Sequence, residues 1–132
     1  MRKEFEIFTK SDFTLEIWSK DKVIFRSRKE RVGGLIDFIK EHGRRFKNLI
    51  IFDKVIGNAA ALLFAYLEAK EVYGVIGSKL AKKTLRKYKI KNYFKKTIPN
   101  ILNKTKTDLC SMEKLVLLNS PVQFYKRLKG KK

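Results

Sequence analysis

The sequence predicts a single α/β domain built around a mixed β-sheet, and three observations support this. Segments near the N-terminus alternate large and polar residues, as β-strands do, and later short apolar segments alternate with helical ones. A chain of 132 residues also suits one continuous core. The predicted order is β-β-α-β-α-β-α-β-α, which implies right-handed crossovers and a three-layer α/β/α sandwich with helices on both faces of the sheet.

The first half of the chain supplies a hairpin, a helix and a central strand. Residues 13–19 and 23–27 are the two strands of the hairpin, and helical spacing follows over residues 35–42. Residues 48–52 form a short apolar run that is typical of a strand buried on both faces. This strand is expected to end at Asp53-Lys54.

The second half alternates helices and strands. A helix is predicted over 57–67, where nearly every residue is apolar, followed by a strand over 71–76. Ser78 caps a basic helix over 79–87, and residues 90–97 form the last predicted strand.

The ends of the chain are predicted to be less ordered than its centre. A polar loop over 99–108 and a short helix over 112–118 precede a break at Ser120-Pro121. We expect one domain over 1–132 with a core at about 13–118, while the first ten residues and a basic tail over 119–132 are loosely held.

Two features bear on location. The longest apolar run, nine residues from Ala59 to Leu67, is far shorter than the ~20 residues that a membrane-spanning helix needs. The N-terminus lacks the apolar core of a secretory signal, and the single cysteine, Cys110, excludes an intrachain disulfide. We therefore expect a cytoplasmic protein with no membrane partner.

The chain is strongly basic, because Lys and Arg outnumber Asp and Glu by 32 to 13 and give a net charge of +19. Residues 72–107 contain no Asp or Glu, and five basic residues of the helix over 79–87 recur on one side of it. This pattern favours a polyanionic partner, with the basic tail as an added arm. The alternative is a merely solvated face. Tyr88, Tyr93 and Phe94 are able to stack on bases, and the alternative for each of them is a place in the core. The nucleic-acid-binding candidates are Lys79, Lys82, Lys83, Arg86, Lys87, Lys89, Lys91, Lys95 and Lys96.

Two segments carry a resemblance to a known family. They are the turn Asp53-Lys54-Val55-Ile56-Gly57-Asn58-Ala59-Ala60-Ala61 and the segment that holds Asn103, Thr107, Cys110, Met112, Glu113 and Lys114. Together with the hairpin before the first helix, they resemble a family of small cytidine-deaminase-like domains of unknown function, over about residues 13–118. The second segment departs from that family's pattern at Lys106, Asp108 and Ser111. The resemblance implies a cytidine-deaminase-like fold and no particular activity.

The residues exclude a zinc-dependent deaminase. Such enzymes need a His or Cys with a nearby Glu at the start of one helix and Pro-Cys-x-x-Cys at the start of the next. Here the corresponding segments are Gly57-Asn58-Ala59 and Gly77-Ser78-Lys79, and the single histidine, His42, ends the first helix. We therefore expect no metal and no cofactor.

A ligand site is predicted around Asp53, since α/β proteins bind ligands at the carboxyl ends of their strands. Gly57 allows close backbone approach, the helix start attracts anions, and Lys54 adds a positive charge. The alternative is that Asp53 caps the helix while Lys54 is solvated. The ligand-binding candidates are Asp53, Lys54, Gly57, Asn58, Asn103, Thr107, Cys110, Met112, Glu113 and Lys114.

Cys110 is a candidate nucleophile near the start of the last predicted helix. Nearby lysines would stabilise its thiolate, and Glu113 could act as a base, but no histidine is close in sequence. The alternative is a small buried residue beside a Glu113 that ties down the start of the helix.

Three hypotheses for function follow. The first is a zinc-free binding domain that holds a small anionic or nucleotide-like ligand, or nucleic acid, near Asp53 and Cys110, with the basic face attracting the polyanion. The second is a metal-independent enzyme that uses Cys110 or the Asp53-Lys54 pair. The third is a protein-interaction domain.

Overall fold

The computed structural model describes residues 2–30, 32–99 and 120–130, with side chains described up to residue 126 in the last range. The elements in these ranges are α1 (Arg2–Thr9), β1 (Leu15–Ser19), β2 (Lys22–Ser27), α2 (Gly33–His42), β3 (Ile50–Ile56), α3 (Asn58–Tyr66), β4 (Glu71–Ser78), α4 (Lys79–Lys87), β5 (Lys91–Ile98) and α5 (Pro121–Gly130). The loop predicted over 99–108 lies almost wholly outside the described residues, and the helix predicted over 112–118 lies wholly outside them.

The five strands form one mixed sheet in the order β2-β1-β3-β4-β5. β1 is antiparallel to β2 and β3, whereas β3, β4 and β5 run parallel to one another. The hairpin closes through Lys20 and Asp21, whose φ angles of 49° and 65° lie in the left-handed region that both central residues of a two-residue type I′ turn occupy. The predicted α/β class with a mixed sheet is therefore confirmed.

The main core covers one face of the sheet. Side chains of α2, α3, α4 and α5 pack there against sheet residues that include Ile17, Ile51 and Val72. Every residue of α3 from Asn58 to Phe64 is buried, as expected for a helix whose sequence is apolar on almost every side. This helix holds the centre of the core.

A second, aromatic core covers the opposite face. Phe5 and Phe8 of α1 are fully buried against Phe52, and the rings of Tyr73 and Tyr93 lie 5.5 and 6.2 Å from that of Phe5. The expectation that the first ten residues are loosely held is therefore wrong. Positions three apart share one helix face, so a single turn brings both phenylalanines onto the sheet.

The C-terminal segment also belongs to the core. Phe124 is fully buried, and Tyr125 stacks on Tyr66 of α3 with ring centroids 4.8 Å apart. The break predicted at Ser120-Pro121 is a helix start, because Ser120 Oγ accepts a hydrogen bond from the Gln123 amide while Gln123 Oε1 accepts one from the Ser120 amide. The core therefore extends beyond the predicted range of about 13–118 on both sides, to Phe5 and to Tyr125.

Among the described helices, none is both long and apolar enough to cross a membrane.

Candidate functional site

Asp53 lies inside β3 and not at its end. It pairs with Leu15 of β1 and with Gly74 of β4, and its side chain is only 6% exposed. Burial raises the pKa of this carboxyl well above 3.8, and hydrogen bonds from the backbone of Val55 and Lys54 offset part of that rise. Asp53 is thus a carboxyl group whose charge the fold disfavours.

The strand was expected to end at Asp53-Lys54, and this expectation is wrong because Val55 and Ile56 continue the pairing with β4. Gly57 occupies the N-cap position of α3, with extended backbone and no side-chain cap. The alternative that Asp53 caps the helix is therefore also wrong.

Lys54 does not share a pocket with Asp53. Its ammonium donates a hydrogen bond to the backbone carbonyl of Ser11 and lies 4.9 Å from the ring centroid of Phe8. Successive side chains of a strand point to opposite faces, so Asp53 faces the main core side while Lys54 anchors α1. This arrangement does not support a ligand-binding or catalytic site that Asp53 and Lys54 form together.

Asn58 begins α3 and is 4% exposed. Its side-chain oxygen accepts a hydrogen bond from the hydroxyl of Thr84 on α4, which ties the two helices together. The adjacent start of α4 is capped as predicted, since Ser78 Oγ accepts a hydrogen bond of 3.0 Å from the Ala81 amide. Thr84 was not among the predicted site residues, although its place beside the apolar stripe of the helix was visible in the sequence.

Six ligand-binding candidates lie outside the described residues, so their approach to Asp53 stays a prediction. They are Asn103, Thr107, Cys110, Met112, Glu113 and Lys114. Within the described part of the chain, no three His, Cys, Asp or Glu side chains come together as a metal-binding group.

The basic residues of α4 form an exposed surface. Ala81 and Leu85 point into the core, and Lys79, Lys83, Arg86 and Lys87 are exposed on the outer side. We call these four exposed residues the α4 basic face. Within the described ranges none of the four forms an ion pair with a carboxylate, so their charges are uncompensated.

The remaining basic candidates divide between different surroundings. Lys82 is half-buried with its ammonium 5.3 Å from the Phe94 ring centroid, and Lys95 pairs with Glu6 of α1 at 3.1 Å. Lys89, Lys91 and Lys96 are exposed. Because successive side chains of β5 point to opposite faces, Lys96 lies on the α4 side of the sheet, whereas Lys91 and Lys95 lie on the α1 side. The nine candidates therefore do not form one surface.

The interleaved aromatic residues are mostly structural. Phe94 is buried in the main core, and Tyr93 lies against α1 with the Arg2 guanidinium 3.9 Å from its ring centroid. Tyr88, at the end of α4, is 36% exposed. Of the two alternatives for Phe94, stacking on a base or a place in the core, the core is the one observed, because strand alternation directs that ring inward.

These observations define an α/β protein with a mixed five-stranded sheet and a helix whose exposed cations have no carboxylate partner among the described residues. The chain belongs to the DUF1893 family, a domain of unknown function, which it matches over residues 3–131. It is similar to the crystal structure of a DUF1893 family protein from Thermotoga maritima, with 27% sequence identity and a TM-score of 0.84 over 99% of this chain and 88% of that one. No curated protein matches the chain.

Proposed function

We propose that the chain is a zinc-free, cytidine-deaminase-like domain that binds single-stranded nucleic acid through the α4 basic face. The observation that carries this proposal is the set of four exposed cations at Lys79, Lys83, Arg86 and Lys87, none of which pairs with a carboxylate of the described chain. The finer fold assignment is supported by the hairpin that precedes α2 and by the helices α3 and α4 that connect three parallel strands.

Phosphate is the ligand chemistry that fits this face. Cations recurring at three- and four-residue spacing form a row of about 12 Å along a helix of nine residues, at 1.5 Å per residue. A row of positive charges binds the phosphate backbone and releases its counterions, whatever the base sequence. Tyr88 at the end of the row adds an aromatic ring that is accessible to an unpaired base.

The ion pair of β5 supports the choice of α4 as the contact. Lys95 is held by Glu6, so its ammonium is less available to a phosphate than those of the exposed row. Lys96 lies on the same side of the sheet and can extend the row. The enzymatic hypothesis built on Cys110 stays a prediction, since that residue lies outside the described ranges.

The test is fluorescence anisotropy of a labelled single-stranded RNA at several salt concentrations. Each phosphate contact contributes about 0.7 to the slope of log affinity against log salt for single strands, so Lys83→Ala with Arg86→Ala should reduce that slope by about 1.4. Both side chains are exposed, so the fold is expected to persist.

The matched control is Lys10→Ala with Lys22→Ala, which removes the same charge from exposed positions on the α1 end and on the opposite edge strand. This variant should keep the wild-type slope to within about 0.5. Equal slopes for both double variants would show that the affinity comes from net charge alone and would refute an interface on α4.

A further inference from the structure

A cleft lies at the amino-terminal edge of the sheet, away from the starts of α3 and α4. It is formed by the hairpin turn, the loop between α2 and β3, and the residue that precedes β4, and its volume is about 470 Å³. Small-molecule sites occupy about 300 to 1,000 Å³, so the cleft has the size of a metabolite site.

The cleft is lined by cations. Lys20, Arg45, Lys47 and Lys70 line it and are exposed, against one lining carboxylate, Asp21. None of these four cations forms an ion pair within the part of the chain that the structure describes.

The neighbouring Arg44 behaves differently, because it pairs with Glu68 at 2.7 Å. The lining cations have no carboxylate partner within the described residues, so they give the cleft a positive potential that attracts a small anion.

One wall of the cleft is apolar. Phe46 provides it, and its ring is held in place by Phe38 and His42, at centroid distances of 6.3 and 5.5 Å. A fixed aromatic ring beside a cationic rim suits a ligand that joins a planar group to a negative charge.

The backbone around the cleft is held in an uncommon conformation. Lys20, Asp21 and Asn48 have φ angles of 49°, 65° and 53°, and only five non-glycine residues of the described chain have positive φ. Residues in the left-handed region persist where surrounding contacts fix them, which keeps the two loops that carry Lys20 and Lys47 in defined positions.

We propose that this cleft is a binding site for a phosphate monoester that carries a planar group, such as a mononucleotide. Arg45 offers two parallel donors to a phosphate, Lys20 and Lys47 add charge, and Phe46 contacts the planar group. This site goes beyond the nucleic-acid face proposed above and does not depend on it.

The test is a titration of the ¹⁵N-labelled protein with adenosine 5′-monophosphate and, separately, with inorganic phosphate, followed by amide chemical shifts. Both probes should shift the amides of Lys20, Arg45 and Lys47. Arg45→Ala with Lys47→Ala should weaken binding of both by about tenfold or more, since each charged hydrogen bond lost contributes at least that factor.

The matched control is Lys83→Ala with Arg86→Ala, which removes the same charge from the α4 basic face. It should leave the affinity for adenosine monophosphate within about twofold of wild type. Equal weakening by the two double variants, or an absence of shifts at the amides of Lys20, Arg45 and Lys47, would each overturn the proposal.

The role of the aromatic wall has its own variant. Phe46→Leu should weaken the binding of adenosine monophosphate and leave the binding of inorganic phosphate as before. The amide shifts that phosphate still causes in this variant also show that the cleft is folded. Equal affinities of the two probes for the wild type would overturn the planar-group part of the proposal. RNA binding to the α4 basic face and mononucleotide binding to the cleft can thus fail separately, because different double variants report on each.

Discussion

The aromatic core beneath α1 makes a quantitative prediction about stability. Phe5 is completely buried, and its ring centroid lies 5.4 Å from that of Phe52 and 5.5 Å from that of Tyr73. Phe5→Ala removes the ring from an interface between a helix and a sheet that cannot close fully around the gap. We expect the free energy of unfolding to fall by about 3 to 5 kcal/mol.

Two contributions make up this loss. Returning a fully buried phenylalanine side chain to water accounts for about 2 to 3 kcal/mol. The cavity and the lost edge-to-face contacts, such as the 6.2 Å contact with Tyr93, account for the rest. A small domain is commonly stable by only about 5 to 15 kcal/mol, so the variant should lose a large fraction of the total stability.

The assay is urea denaturation followed by tryptophan fluorescence and far-UV circular dichroism. Trp18 is the single tryptophan, and its ring lies 6.0 Å from that of Phe52, so its fluorescence reports on this core directly. Coincident transitions by the two probes would justify a single free energy.

The matched control is Ile7→Ala in the same helix. Ile7 is 68% exposed, so this substitution should change the free energy of unfolding by less than about 0.5 kcal/mol. If Phe5→Ala and Ile7→Ala have equal effects, α1 does not pack on the sheet as described and the second core is refuted.

Two further predictions concern β3 and β4. A Cβ atom on Gly77 would overlap the Phe94 ring, so Gly77→Ala should lower the free energy of unfolding by about 1 to 3 kcal/mol, and Phe94→Leu should lessen that effect when the two are combined. Gly33→Ala, whose Cβ would lie 3.3 Å from the Lys29 Cβ, is the control and should be nearly neutral. Asp53 has a pKa raised by burial, so its contribution to stability is fully present below pH 3.8 and is lost as pH rises through the folded-state pKa. Asp53→Asn removes this titration, and its stability relative to wild type should therefore increase between pH 4 and pH 7.

Denaturation measurements check both, and each has a clear contrary result. If the effects of Gly77→Ala and Phe94→Leu on the free energy of unfolding simply add in the double variant, the two positions are not in contact. If the difference in free energy of unfolding between wild type and Asp53→Asn stays constant from pH 4 to pH 7, burial does not raise the pKa of this carboxyl.

Local patterns in the sequence predicted most of the sheet and the helices on its main face. Alternation over the hairpin, the apolar run of α3 and the basic row of α4 each depend on neighbours a few residues apart, and each predicted element is present. The two ends were harder to predict. The charged residues of α1 obscure the pair Phe5 and Phe8, and the Ser120-Pro121 start of α5 has the same residues as a helix break.

The candidate site was predicted less well than the fold, for a geometric reason. Whether Asp53 and Lys54 meet depends on whether β3 ends before them, and the strand continues to Ile56 and separates the two side chains onto opposite faces. The cleft around Arg45 and Phe46 left no signal in the sequence, because its lining comes from three segments that are distant along the chain.

The sequence by itself determined the α/β class, the order of most elements, the excess of positive charge and the row of cations on α4. These properties are sums over residues or repeats along one helix or strand, so they do not depend on how the elements meet. Only the tertiary structure decided which charges are compensated. For example, Lys95 forms an ion pair with Glu6, which lies 89 positions away in the sequence. It also decided which face of the sheet α1 covers and where cations from three segments gather into a cleft, because packing brings together residues whose separation in sequence carries no information about their distance in space.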